Sequence, residues 1–229
     1  MWLQANFWSE RVSQRIVLLH ATPVAVEPVQ DAFRRLWPEA EIVNLLDDGL
    51  TIDRDKSAEL SPELSARFVR LGQYGAEMDT DGLLITCSAF GPAIDALERE
   101  LPIPVLRPNE AMFSSALEKG TRIGMLATFA PAVVTMEAEF ETFRARAGSD
   151  AVLETVIVPD AIAALRRGDA EKHNRLVGEY APQLKHCDVI MLAHFSTSRA
   201  RAAVEAAVDV PVLAAPDAAV LRMRALVNA

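Results

Sequence analysis

Arg15-Ile-Val-Leu-Leu-His-Ala21 returns in outline as Arg122-Ile-Gly-Met-Leu-Ala-Thr128, 107 residues further along the chain. The same offset of 107 relates Asp81-Gly-Leu-Leu-Ile-Thr-Cys87 to Asp188-Val-Ile-Met-Leu-Ala-His194, Pro104-Val-Leu106 to Pro211-Val-Leu213, and Phe33 to Phe140. Matches that share one spacing describe a duplication. The period far exceeds the roughly 20–50 residues of a solenoid unit, so the chain reads as two related domains rather than an array.

The repeated motifs are short apolar runs, the pattern of strands buried on both faces of a parallel sheet. Such strands are predicted at Ile16–Leu19, Glu41–Leu46, Gly82–Thr86 and Ile103–Leu106, and again at Ile123–Leu126, Val152–Val158, Val189–Ala193 and Val210–Leu213. Helical segments alternate with them. Ser61-Pro62-Glu63 offers an N-cap, a first-turn proline and a first-turn acid for a helix running toward Met78. Gly168 is the expected stop after a helix over Ala161–Arg167. Alternating strands and helices imply an α/β fold with parallel sheets covered on both faces. The join between the halves is expected near Pro108–Gly120, where Glu110 starts a helix.

The bulk properties narrow the function. The chain has 229 residues, 51% of them hydrophobic, enough for one large core or two smaller ones. A net charge of −9 and the lack of any Lys/Arg run argue against nucleic acid as a partner. No uncharged apolar run is long enough to span a membrane, so no membrane partner is expected. Met1–Arg15 lacks the plan of a signal peptide, and two cysteines make no disulfide framework; the expected location is cytoplasmic.

In parallel α/β sheets, ligands sit beyond the carboxyl ends of the strands. The residues that follow Leu19, Ile85, Leu126 and Leu192 are therefore the candidates. Cys87 and His194 hold equivalent places in the two halves. If the halves face each other about a pseudo-two-fold axis, these side chains meet across one cleft, where two acid–base groups could remove and return a proton on one carbon. The plainer alternatives are a small buried core cysteine and a histidine bonded to backbone. Ser88, Thr128, Ser196 and Thr197 are candidates to hold a carboxylate, although helix capping is the competing role. Thr22 and His20 follow the first strand and could orient a substrate. Asp47-Asp48-Gly49 reads as a turn. Cys187 lies about 20 Å of extended strand before His194 and reads as inert. No GxGxxG follows the first strand, and there is no P-loop, no zinc-ligand spacing of His and Cys, and no Gly-x-Ser-x-Gly. No metal and no cofactor are expected.

Ile85-Thr-Cys-Ser-Ala89, Arg122–Thr128 and Asp188–His194 together resemble the aspartate/glutamate racemase superfamily, which also holds hydantoin racemases, maleate isomerases and arylmalonate decarboxylases. The resemblance covers nearly the whole chain. It implies two duplicated Rossmann-like domains related by pseudo-two-fold symmetry, with the active site at their interface and no metal, pyridoxal phosphate or nicotinamide. It also implies that residues 1–112 form the first domain, completed by the C-terminal helix within 215–229, and that 113–214 form the second. Racemases of this type use one Cys from each half. Cys87 matches the first, while His194 stands where the second would be. The expected activity is a cofactor-independent racemase or related isomerase acting on a small carboxylate-bearing compound. A decarboxylase of a malonate-like acid and a non-catalytic two-lobed binding protein are the alternatives. Related proteins are commonly homodimers, which the resemblance leaves open for this chain.

Overall fold

The computed structural model describes residues 13–56 and 59–229, so most of Met1–Arg15 lies outside the described residues. The first half runs β1 (Arg15–His20), α1 (Val26–Leu36), β2 (Glu41–Leu46), α2 (Gly49–Arg54), α3 (Pro62–Ala76), β3 (Gly82–Ile85), α4 (Gly91–Glu100), β4 (Val105–Leu106) and α5 (Glu110–Leu117). The second runs β5 (Arg122–Ala127), α6 (Ala130–Arg146), β6 (Val152–Ile157), α7 (Ala161–Arg166), α8 (Ala170–Tyr180), β7 (Val189–Leu192), α9 (Arg201–Glu205), β8 (Val212–Ala214) and α10 (Ala215–Val227).

Each half builds a parallel four-stranded sheet of one topology, β2-β1-β3-β4 and β6-β5-β7-β8. The duplication extends to register. Ile16 pairs with Gly82 as Ile123 pairs with Val189, and Leu83 pairs with Val105 as Ile190 pairs with Val212. It extends to one brace as well. Asp81 accepts the backbone N–H of Arg15 at 2.7 Å, and Asp188 accepts that of Arg122 at 2.8 Å. The repeated aspartates thus tie the start of the third strand of each half to the start of the first.

The local signals act as their chemistry requires. Ser61 Oγ accepts from the Leu64 N–H at 3.2 Å, capping α3 ahead of Pro62. Gly168, at φ +84°, turns the chain after α7 and donates to the Leu165 carbonyl. One expectation fails. β2 and β6, each at one edge of its sheet, are not buried on both faces, and Leu46, Val152 and Ile157 are exposed.

The Pro108–Gly120 stretch is more than a link. Its helix α5 crosses to the second sheet and packs on β7, β8 and α6, while α10 returns to pack on α1 and β3 of the first. Met223 of α10 comes so close to Gly82 that a Cβ there would lie 2.7 Å from its sulfur. A shared core between the sheets joins Ile16, Leu18 and Leu84 to Ile123, Met125 and Met191, and smaller cores line the outer face of each sheet. Among the described residues no helix is long and apolar enough to cross a membrane.

Candidate active site

The carboxyl ends of both sheets converge on one cavity. Cys87 leaves β3 in an extended conformation and is followed by a single 3-10 turn, Ser88–Phe90, that opens α4. Phe90 anchors this turn by stacking on Phe68, with ring centroids 4.6 Å apart. Arg54, the last residue of α2, donates from Nε to the Ala89 carbonyl at 3.3 Å. Opposite, His194 leaves β7 at φ +68°, ψ 145°, a region that residues with a side chain rarely adopt. The two halves therefore present equivalent positions on different backbones, an extended Cys87 and a strained His194.

Cys87 and His194 line the same cavity. Its volume is about 40 Å³, room for a few waters and far below the hundreds of Å³ of a typical ligand site. That space is too small for a substrate, so binding requires the groups lining it to move. Arg166, the last residue of α7, bridges the lobes. It lines the cavity, pairs with Asp55 of the first lobe at 3.1 Å, and lies over the Phe129 ring, 5.3 Å from its centroid. Phe129 in turn meets the His194 ring edge-on. Arg199 and Glu27 form a second bridge at 2.6 Å. Such solvent-exposed pairs are worth about 0–1 kcal/mol each, so they do little to prevent opening.

Burial favours the neutral form of both Cys87 and His194. Burial pushes the Cys87 thiol up to about 11; Arg54 and Arg166 draw it down, and Asp55 pushes it further up. The residue keeps some accessible surface, but its sulfur lies among apolar and cationic neighbours. Burial lowers the His194 imidazole to about 4. Its Nε2 is buried without a hydrogen-bond partner. A buried ring nitrogen left unpaired costs about 1–3 kcal/mol.

The other candidates divide. Thr22 and Ser196 line the cavity. Thr128 and Thr197 are bonded to each other at 3.2 Å and are not on its wall. Ser88 is buried with its hydroxyl unpartnered, and it too is not on the wall. His20 is fully buried behind Thr86, which does line the cavity; its ring contacts Thr86 Oγ1 at 2.9 Å and Asn44 Oδ1 at 3.0 Å. Burial lowers the His20 imidazole to about 4. Asp47 is held by a two-point pair with Arg67 at 2.6 and 2.7 Å.

Arg54, Asp55, Phe129 and Arg166 escaped the sequence reading. A signal for two of them exists. Arg54 and Arg166 each end a six-residue helix that follows the outer strand of its sheet. Their separation is 112 residues rather than 107, because the second half carries extra residues between its first two strands and one more between the second strand and the end of the helix. A fixed offset misses a pair that lies beyond an insertion.

Residues 50–133 match the family model described as Asp/Glu/Hydantoin racemase. The chain is similar to that family over these 84 of its 229 residues. A glutamate racemase from Bacillus anthracis superposes with a TM-score of 0.78 at 15% identity, over 96% of this chain and 83% of that one. An aspartate racemase from Picrophilus torridus gives 0.74 at 13% identity, over 94% and 95%. An allantoin racemase from Klebsiella pneumoniae gives 0.71 at 20% identity, over 94% and 88%. At these identities the likeness is one of fold. No curated protein sequence matches the chain significantly.

Proposed function

We propose that the chain is a racemase of a small carboxylate-bearing compound, with Cys87 and His194 as the catalytic pair. The family match and the fold support an isomerase. The observation that supports the mechanism is that Cys87 and His194, from equivalent strand exits, line one cavity.

With the imidazole neutral and the thiol protonated, His194 takes the proton from the carbon beside the carboxylate. Cys87 gives its proton to the opposite face. The carbon is inverted, and the protein is left with imidazolium and thiolate. Return of one proton from His194 to Cys87 resets it, and the cavity is large enough for a water to carry that proton. The reverse reaction runs from the imidazolium–thiolate form. Arg166 and Arg54 supply the positive charge that steadies the substrate carboxylate and the developing enolate, and Ser196 and Thr22 add hydroxyl donors. For Arg166 this requires exchanging Asp55 for the substrate's carboxylate.

One observation favours a second reading. A thiol held up to about 11 is a proton donor before it is a base, which also suits a decarboxylase that protonates a carbanion on one face. Proton NMR in deuterium oxide separates the two, with small amino acids, hydantoins and malonates as substrates and Cys87→Ala beside the wild type. Cys87-dependent exchange of the carbon-bound proton with formation of the mirror-image product supports the racemase. Loss of carbon dioxide supports the lyase. Racemisation by a folded Cys87→Ala protein refutes the mechanism.

A further inference from the structure

We propose that Glu154, His186 and Cys187 form a binding site for a zinc-class divalent cation on the second lobe, at the far end of its sheet from the catalytic cleft. The donor atoms of the three residues, a carboxylate oxygen, an imidazole nitrogen and a thiol sulfur, all lie within 4.8 Å of one another. His186 Nε2 and Glu154 Oε2 are 2.8 Å apart. Tetrahedral zinc, with bonds of about 2.0–2.3 Å, needs donors about 3.3–3.8 Å from each other. The exposed side chains of Glu154 and His186 are free to make that adjustment around the buried Cys187 sulfur.

The backbone explains why the three can meet. Glu154 lies on β6, while Cys187 stands just before β7, and β5 separates those strands. Glu154 is in register with Gly124 of β5. A Cβ at Gly124 would lie 3.2 Å from the Cys187 sulfur and 3.0 Å from Leu184. Glycine inside a central strand weakens it and often marks a close approach. Here it opens a gap across β5 through which the thiol and the carboxylate approach one another. The matching position of the first half, 107 residues earlier, is Val17, and Cys187 matches Thr80, so the arrangement belongs to the second lobe alone.

The donor set selects the metal. Thiolate and imidazole favour a borderline-soft ion over magnesium or calcium, which take oxygen. Binding displaces the thiol proton, requires His186 to present the Nε2 lone pair in place of its contact with Glu154, and leaves a fourth position for water. Sequence spacing does not reveal the site, because Glu154 precedes His186 by 32 residues and reaches it only through the sheet. The seven residues from Cys187 to His194 put the cation roughly 20 Å from the catalytic pair, so occupancy is read without reference to turnover.

The test uses the full chain, stripped of metal by chelation and titrated with cobalt(II) without oxygen. We expect a thiolate-to-cobalt absorption band in the near ultraviolet that saturates at one equivalent and is abolished by zinc. Cys187→Ser should lose the band, and His186→Ala should weaken binding more than about tenfold. Cys87→Ala should keep it. Because Cys187 is packed inside the lobe, Glu154→Gln with His186→Ala, both at exposed positions, gives a second disruption that keeps the fold, checked by circular dichroism. No band at millimolar cobalt, a band that survives Cys187→Ser or the double substitution, or a band lost in Cys87→Ala would overturn the site.

Discussion

Iodoacetamide should label Cys87 slowly at neutral pH and faster with every step upward. The thiol is raised from an ordinary 9.0 to about 11 by burial. Two pH units leave ~100-fold less thiolate than an ordinary thiol carries near pH 7.5. A more basic thiolate is also a better nucleophile, by roughly 6–10-fold over that interval at a Brønsted slope of about 0.4–0.5. The net expectation is labelling about 10–20-fold slower than an unburied thiol, with the rate rising close to tenfold per pH unit and no plateau below about pH 10. The neighbours set the direction of two controls. Asp55→Asn removes the charge that raises the thiol and should speed labelling; Arg166→Gln removes one that lowers it and should slow labelling. Rates are read by mass spectrometry on the Cys87 peptide, with a small free thiol as reference. A rate that bends over near about pH 9 would show a thiol that titrates normally, and a rate already level by about pH 8 a depressed one; either would refute the raised thiol.

Three further predictions rest on the same site and its support. In the direction that starts from neutral His194 and protonated Cys87, kcat/KM should be flat from about pH 5 to 10, falling only as His194 gains a proton near 4 and Cys87 loses one near 11; a rate that climbs through pH 7–9 means that a thiolate acts first. The backbone at His194, at φ +68°, ψ 145°, costs a residue with a side chain about 1–3 kcal/mol, against about 0.5–1 kcal/mol of extra unfolded-state entropy for glycine. His194→Gly should therefore resist urea better than His194→Ala by ~1 kcal/mol, and equal stabilities would show that the strain is absent. Glu139 of α6 is mostly buried, and burial raises its carboxyl to about 7 although Arg107 lies 3.3 Å away. A raised acid contributes stability below its ordinary 4.5 that is lost as pH rises through 7, at most ~3 kcal/mol. Glu139→Gln should lose that dependence, so melting curves of variant and wild type taken at pH 5 and pH 8 should differ in their pH shift; parallel shifts would refute the burial of that charge.

The fold was legible because a duplicated chain displays its strands twice. The 107-residue offset marks β1, β3 and β4 and their counterparts β5, β7 and β8, whose registers repeat without a slip. It also points to Cys87 and His194, since a strand exit fixes where a side chain emerges. Burial of β2 and β6 was misread because an apolar run does not say whether a neighbour lies on each side. Arg166 was hidden by the insertion that breaks the offset, and its role depends on a contact with Asp55, 111 residues away, that periodicity does not encode. The hydroxyls show a further limit. Ser196 and Thr22 reach the cavity, while Thr128 and Thr197 satisfy each other behind it. A difference of one residue decides that outcome, and it depends on how the 3-10 turn after His194 is wound.

The exchange of α5 and α10 bears on how such a chain could arise. Each half ends in a helix that its own sheet does not use and the other sheet requires. Severed at the join, the first half would keep a helix with nothing to cover and lose the one whose Met223 fills the space beside Gly82. A half-length ancestor with this plan would have been complete only as a pair of molecules trading their tails. Fusion of two such copies would free each to diverge, and the strand exits of the two halves now differ, a thiol in one and an imidazole in the other.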